Sequence, residues 1–357
     1  MKIISYQAEC GDATRIEFAG SDKKLHHILI DTGFERTYRQ VLEQDLKALI
    51  KAGDAIDLCI ISHIHDDHIG GAIAYIRAIQ NGAIGDCIHK WLYNPPRGQP
   101  IKEKIISNEI SFAKSIAQGD VLATYLLSKG KLMTEDITND WEEDFFGLKV
   151  IVLSPNTKTL KALRVKYPEG RKNPFEREEW VDISFAKANI KDDYHIPIND
   201  FNLAIKEEDN SEENGSSIAV LLEQEGKRFL CLADAHPTVI AGALHRLGYS
   251  SSYPLVCDWV KVSHHGSKGN NLSVLYNMIK CNNFIISANG ENKYKLPSKQ
   301  CLATIIRSTQ RTDDVCNLFF TYNNETLRNI FKTDGEMIFE ELKFRVHFSS
   351  DPSLIFC

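Results

Sequence analysis

Through the first sixty residues, apolar and polar positions alternate with a period of two. Residues 2–7 (KIISYQ), 14–20 (TRIEFAG) and 26–31 (HHILID) read as short strands parted by turn residues, Cys10-Gly11-Asp12 and Ser21-Asp22. The period then lengthens. Residues 38–53 (YRQVLEQDLKALIKAG) carry apolar positions at helical spacing and end on Gly53, where a C-terminal cap belongs. A buried-strand pattern at 57–62 (DLCIIS) runs straight into HIHDDHIGGAIAYIRAIQNG, whose second half is again helical. Three histidines are thereby predicted at a strand-to-helix turn.

From Asn94 to Asn214 the pattern is less regular. Helical stretches precede a strand at 148–154 (LKVIVLS), which stops at Pro155, and the segment closes on KEEDNSEE, which reads as a solvated surface loop. A second alternating half follows. SSIAVLLEQ and KRFLCLAD flank Glu225-Gly226 as a hairpin. A helix near 237–247, a strand near 258–262, a helix near 271–280 and the strand NFIISA come after it. Strands and helices that repeat in this order suit two β-sheets packed face to face with helices outside, an α/β sandwich.

Composition narrows the function more than the fold. The chain has 357 residues, 43% apolar and 25% charged, enough for a sizeable core. A net charge of −6 leaves no basic footprint for sequence-independent nucleic-acid binding, although a metal centre can hold phosphate without one. Nine scattered cysteines, with no C-x-x-C pair, read as reduced thiols packed as small apolar groups. No signal peptide and no membrane-spanning run is evident, so a cytoplasmic, unanchored protein is expected.

The chemistry concentrates in His63-Ile64-His65-Asp66-Asp67-His68, three imidazoles and two carboxylates in six positions. These are the donors a borderline divalent ion prefers. His63 and His65 alternate on extended chain and face one way. Asp67 and His68 open the next turn and can serve a second ion. Gly70-Gly71 would let the backbone pass close to this cluster. Helix N-termini do favour acidic residues, but that preference leaves three histidines after a buried strand unaccounted for.

H-x-H-x-D-H resembles the signature of the metallo-β-lactamase superfamily, and further landmarks occur in its order. Asp31 in HILIDTG resembles the acidic residue that orients a ligand histidine. Asp234 resembles the aspartate that bridges two metals, and His264-His265 in VKVSHHGSKGN resembles the late histidine motif. ECGDATRIEF, NGSSIAVLLEQEGKRFLCLADA and SANGENKYKLPS, taken with HHGS, resemble one subgroup in particular. It includes the metallo-hydrolase domain of DNA-uptake competence proteins. The resemblance implies one metallo-β-lactamase sandwich over 1–357, with a poorly matched insertion at about 95–213 and an extension after about 310.

It also implies a site. Two divalent ions, zinc or manganese, would be held by His63, His65 and Asp234 on one side and by Asp67, His68, Asp234 and His265 on the other. They would sit ~3.5–4 Å apart with a hydroxide between them. Asp67 and His264 are the expected catalytic residues, His264 as general acid or hydrogen-bond donor. The superfamily's usual histidine some twenty residues before Asp234 is missing, and Asn214 stands near that place as a weak ligand. Ala233 occupies a position where relatives usually carry glycine. Ser267, Lys268, Asn292 and Tyr294 are candidates for holding substrate. The expected function is a phosphodiesterase or nuclease, acting on nucleic acid or a phosphorylated small molecule, with protein partners encoded nearby. An ester, lactone or thioester hydrolase is the alternative on the same metals. A non-catalytic partner protein that kept the fold is the second.

Overall fold

The computed structural model describes residues 1–98, 114–167, 191–204, 207–313 and 315–357. Within the poorly matched 95–213 stretch, residues 99–113, 168–190 and 205–206 therefore lie outside the described residues. The strands are β1 (Lys2–Tyr6), β2 (Thr14–Ala19), β3 (Leu25–Ile30), β4 (Ile56–Ile60), β5 (Ile88–Leu92), β6 (Glu142–Phe145), β7 (Leu148–Ser154) and β8 (Ala219–Gln224). They continue with β9 (Lys227–Cys231), β10 (Leu255–Val256), β11 (Trp259–Lys261), β12 (Ile279–Lys280), β13 (Asn283–Ile286), β14 (Cys316–Phe320), β15 (Phe344–Phe348) and β16 (Ser353–Phe356). The helices of ten or more described residues are α1 (Glu43–Ala52), α2 (Asp66–Gln80), α3 (Lys114–Ser128), α4 (Thr157–Lys166), α5 (Pro237–Arg246) and α6 (Lys299–Ser308).

Two large sheets form, ordered β16-β1-β2-β3-β4-β5 and β15-β14-β13-β11-β9-β8-β7-β6. Each begins antiparallel and turns parallel, from β3 to β5 in one and from β9 to β15 in the other. The alternation seen in the sequence decides what each side chain packs on. Ile28 and Ile30 of β3, Leu58 and Ile60 of β4, Val220 and Leu222 of β8 and Phe229 of β9 meet between the sheets. Leu29 and Cys59 face the other way, against the apolar stripe of α2. Leu221 and Leu230 do the same beneath α5 and α6. The result is the expected sandwich of two mixed sheets with helices on both outer faces. A hairpin turns at Glu225-Gly226, both residues in the left-handed region, as the sequence suggests.

The chain after about 310, expected as an extension, is woven into both sheets. Strands β14 and β15 widen the second, and β16 pairs with β1 at the edge of the first. Residues 271–280, read as one helix, form only a short turn at Ser273–Tyr276 before β12. No described helix is long and apolar enough to cross a membrane. Every described cysteine is free, seven of the nine buried.

Candidate metal centre

In doubly layered α/β folds, sites collect beyond the carboxyl ends of parallel strands, and both sheets deliver side chains there. Asp31 follows β3, Ser62 to His68 follow β4, Asp234 follows β9, and His264 and His265 follow β11. Four of these turn residues hold left-handed backbone despite carrying side chains: Asp31, Ala233, His264 and His265. Such strain gathers where surrounding structure over-determines the chain. The φ of +45° at Ala233 also gives a physical reason for glycine in relatives.

Helix α2 begins at Asp66, so His63 and His65 lie on extended chain while Asp67 and His68 sit in the first turn. The helix must dock tightly on the loop after β3. A Cβ on Gly71 would lie 2.2 Å from the Thr32 carbonyl oxygen, and no side chain fits there. The backbone of His68 accepts a hydrogen bond from Thr32 N at 2.9 Å across this contact.

Asp234 stands at the centre, and its two oxygens divide the imidazoles. Oδ1 faces His68 Nε2 at 3.3 Å and His265 Nε2 at 3.8 Å. Oδ2 faces His63 Nε2 at 3.8 Å and His264 Nε2 at 3.6 Å. Asp67 Oδ2 joins the first set, 3.3 Å from His265 Nε2 and 3.8 Å from His68 Nε2. Donor atoms of His63, His65 and Asp234 all lie within 4.8 Å of one another, as do those of Asp67, His68 and His265.

The far side of each ring is tied down. His68 Nδ1 donates to Asp31 Oδ2 at 2.8 Å, and His265 Nδ1 donates to the Ser287 carbonyl at 3.1 Å. Ser62 Oγ donates to Asp31 at 2.7 Å, which leaves its lone pairs for His63 Nδ1 at 3.1 Å. With Nδ1 as donor, Nε2 of a neutral ring presents a lone pair to the centre. Below His265, Lys261 and Asp12 form a fully enclosed ion pair, and Asp12 Oδ1 lies 3.3 Å from His265 Nδ1.

These atoms fit a cation. His63 Nε2, His68 Nε2, His265 Nε2 and both Asp234 oxygens are buried without a hydrogen-bond partner, an arrangement that is costly unless something positive lies between them. Burial drives the His63 imidazole well below its ordinary value, helped by His68 and His65, so it stays neutral. Burial alone would raise the Asp234 carboxyl, but His264, His68 and His265 outweigh it and hold the group well down.

The remaining candidates divide. Asn214 is buried beside the cluster, and its Nδ2 donates to Asp209 at 2.6 Å while its Oδ1 has no partner. Asn292 spends its side chain on its own turn, donating to the Leu296 carbonyl and accepting from Tyr294 N and Leu296 N. Tyr294 is exposed with the Lys293 ammonium over its ring. Lys268 is exposed and Ser267 half-buried on the turn that follows the late histidines. The acidic stretch before Asn214 is not simply solvated. Asp209 turns inward to Asn214 and Asn270, and Glu213 is buried against Lys166 and Tyr167. Sequence reasoning also passes over Asp12 and Lys261, although both stand in the quoted landmarks.

The family model described as the metallo-beta-lactamase superfamily matches residues 22–150, the segment that carries Asp31 and the histidine cluster. That match covers a little over a third of the chain. In structure the chain is similar to the metallo-beta-lactamase fold protein YhfI from Bacillus subtilis, at 10% identity over 99% of this chain and 98% of that one, TM-score 0.37. It is similar to Zn2+-bound PqqB from Methylobacterium extorquens, at 9% identity over the whole of both chains, TM-score 0.46. A mutant of CmlA beta-hydroxylase is matched at 11% identity over 99% of this chain and 53% of that one, TM-score 0.42.

Proposed function

We propose that this metallo-β-lactamase-fold chain is a hydrolase of phosphodiester bonds that works with two divalent ions, zinc or manganese. The observation that carries the metal half of this reading is the set of buried, unpartnered atoms around Asp234. His63, His65 and Asp234 would hold one ion, with Asn214 as the weak ligand expected from the sequence. Asp67, His68, His265 and Asp234 would hold the other. Bound there, two such ions would supply polarisation of a phosphoryl oxygen and a water nucleophilic at neutral pH.

The chain's own residues do the rest. Asp31, Ser62 and Ser287 fix the rings of His68, His63 and His265 so that their Nε2 lone pairs point inward. Asp234 offers one oxygen to each set, which keeps the two groups of donors at a set spacing. The preference for a phosphodiester rests on the likeness of HHGS and its companion landmarks to the competence-type subgroup. A groove of about 430 Å³ beside Asp66 carries Arg36 and Arg39, but also Glu9 and Glu35.

The test is elemental analysis of protein prepared without chelator, followed by assays on bis-p-nitrophenyl phosphate, single-stranded DNA and lactones with manganese or zinc. Metal-dependent cleavage of the phosphodiesters, lost in Asp234→Asn, is the expected result. Cleavage of lactones alone would move the reading to carboxylic esters. Protein that takes up no metal would remove it altogether.

A further inference from the structure

The superfamily's usual histidine before Asp234 is missing here, and the geometry points to what replaces it. We propose that His264 supplies the remaining imidazole for the ion held by His63, His65 and Asp234. Its orientation is set by Asn270, Asp209 and Asn214. The inference rests on the metal reading above.

Three observations carry it. The first is the division at Asp234: His264 Nε2 lies 3.6 Å from Oδ2, the oxygen that also faces His63, whereas His265 faces Oδ1. Left-handed backbone at both residues, φ +44° and +53°, splays the adjacent rings to 80° apart and sends one to each side.

The second is the tautomer. Asn270 Nδ2 donates to Asp209 Oδ2 and to the Asp234 carbonyl, both at 3.0 Å. The amide orientation is thereby settled, and its Oδ1 must be the atom 2.8 Å from His264 Nδ1. An amide oxygen only accepts, so Nδ1 carries the proton and Nε2 of the neutral ring presents a lone pair to Asp234. His63, His68 and His265 are held with the same polarity.

The third is investment in position. Asp209 accepts from both Asn214 and Asn270, so one carboxylate braces the whole bracket behind the ring. In its neutral form a ring held this way has no proton to give toward the centre. The proton-donor role expected from the sequence would need a second proton on His264.

Titration calorimetry of the metal-free full-length protein with Zn2+ and with Co2+ tests the assignment. Wild type should bind two ions. His264→Ala should weaken the same ion as His63→Ala, by roughly a hundredfold or more, and leave the ion lost in His265→Ala. Asn270→Ala, which keeps the ring but frees it, should cost that ion ~10–100-fold in affinity, and it serves as the test if His264→Ala does not fold. Two ions bound by His264→Ala at wild-type affinity, with only the rate reduced, would overturn the inference in favour of a proton donor. Equal weakening of both ions would overturn it too. A wild type that binds no ion would instead defeat the metal reading itself.

Discussion

Asp31 accepts the Nδ1 proton of His68 at 2.8 Å, with both side chains enclosed by protein. The same carboxylate takes Ser62 N and Ser62 Oγ, each at 2.7 Å. One buried acid thus orients His68 directly and His63 through the serine. Asp31→Asn exchanges an acceptor for a group that must turn an N–H toward one of these donors. The variant should lose ~10–100-fold in affinity for the ion at His68. Metal titration checks this, and unchanged affinity would mean that packing alone orients the ring.

Lys261 and Asp12 are joined across the sandwich, one on β11 and one in the turn before β2. Lys261→Met leaves the buried carboxylate without its ammonium and facing only His265, which should cost about 3–5 kcal/mol. The double variant Asp12→Asn with Lys261→Met should recover much of that loss. Urea unfolding of the three proteins makes the comparison. A single variant as stable as wild type would show that water reaches the pair.

Gly71 lets α2 lie on the loop after β3. Gly71→Ala should destabilise by about 1–3 kcal/mol, the usual cost of overpacking, because the contact is with backbone and cannot swing aside. Denaturant midpoints measure it. A neutral outcome would mean that the helix can shift without cost.

Glu213 is held down to about 2. Burial works in the other direction, and the Tyr167 hydroxyl and the Lys166 ammonium outweigh it. A folded value below the ordinary 4.5 stabilises the protein above that pH, and the contribution is lost as pH falls toward 2. The stability gap between wild type and Glu213→Gln should therefore be widest near neutrality and shrink through this acid range. Unfolding at several pH values reads the gap, and a constant difference would show that the charge of Glu213 plays no part.

The parts of the site legible in the sequence are those that are local. His63 to His68 fall within six residues, on a strand and a turn whose geometry follows from periodicity. Asp31 and Asp234, each at the end of an apolar strand, are legible through their resemblance to superfamily landmarks. The illegible parts depend on distant partners. Nothing near Asp12 announces Lys261, 249 residues away. An acidic run ordinarily faces water, and only the fold reveals that Asp209 braces two asparagines. Asn292 shows the reverse, a landmark residue absorbed by its own turn.

The pairing of β1 with β16 joins residues 3–6 to residues 353–356. During synthesis the outer edge of the first sheet waits for nearly the whole chain before it is covered. Contacts so far apart in sequence slow folding, and an uncovered strand edge invites pairing with other chains. The nascent protein is therefore most exposed to aggregation late, when every side chain of the candidate centre has been made but the sheet beneath half of them is still open.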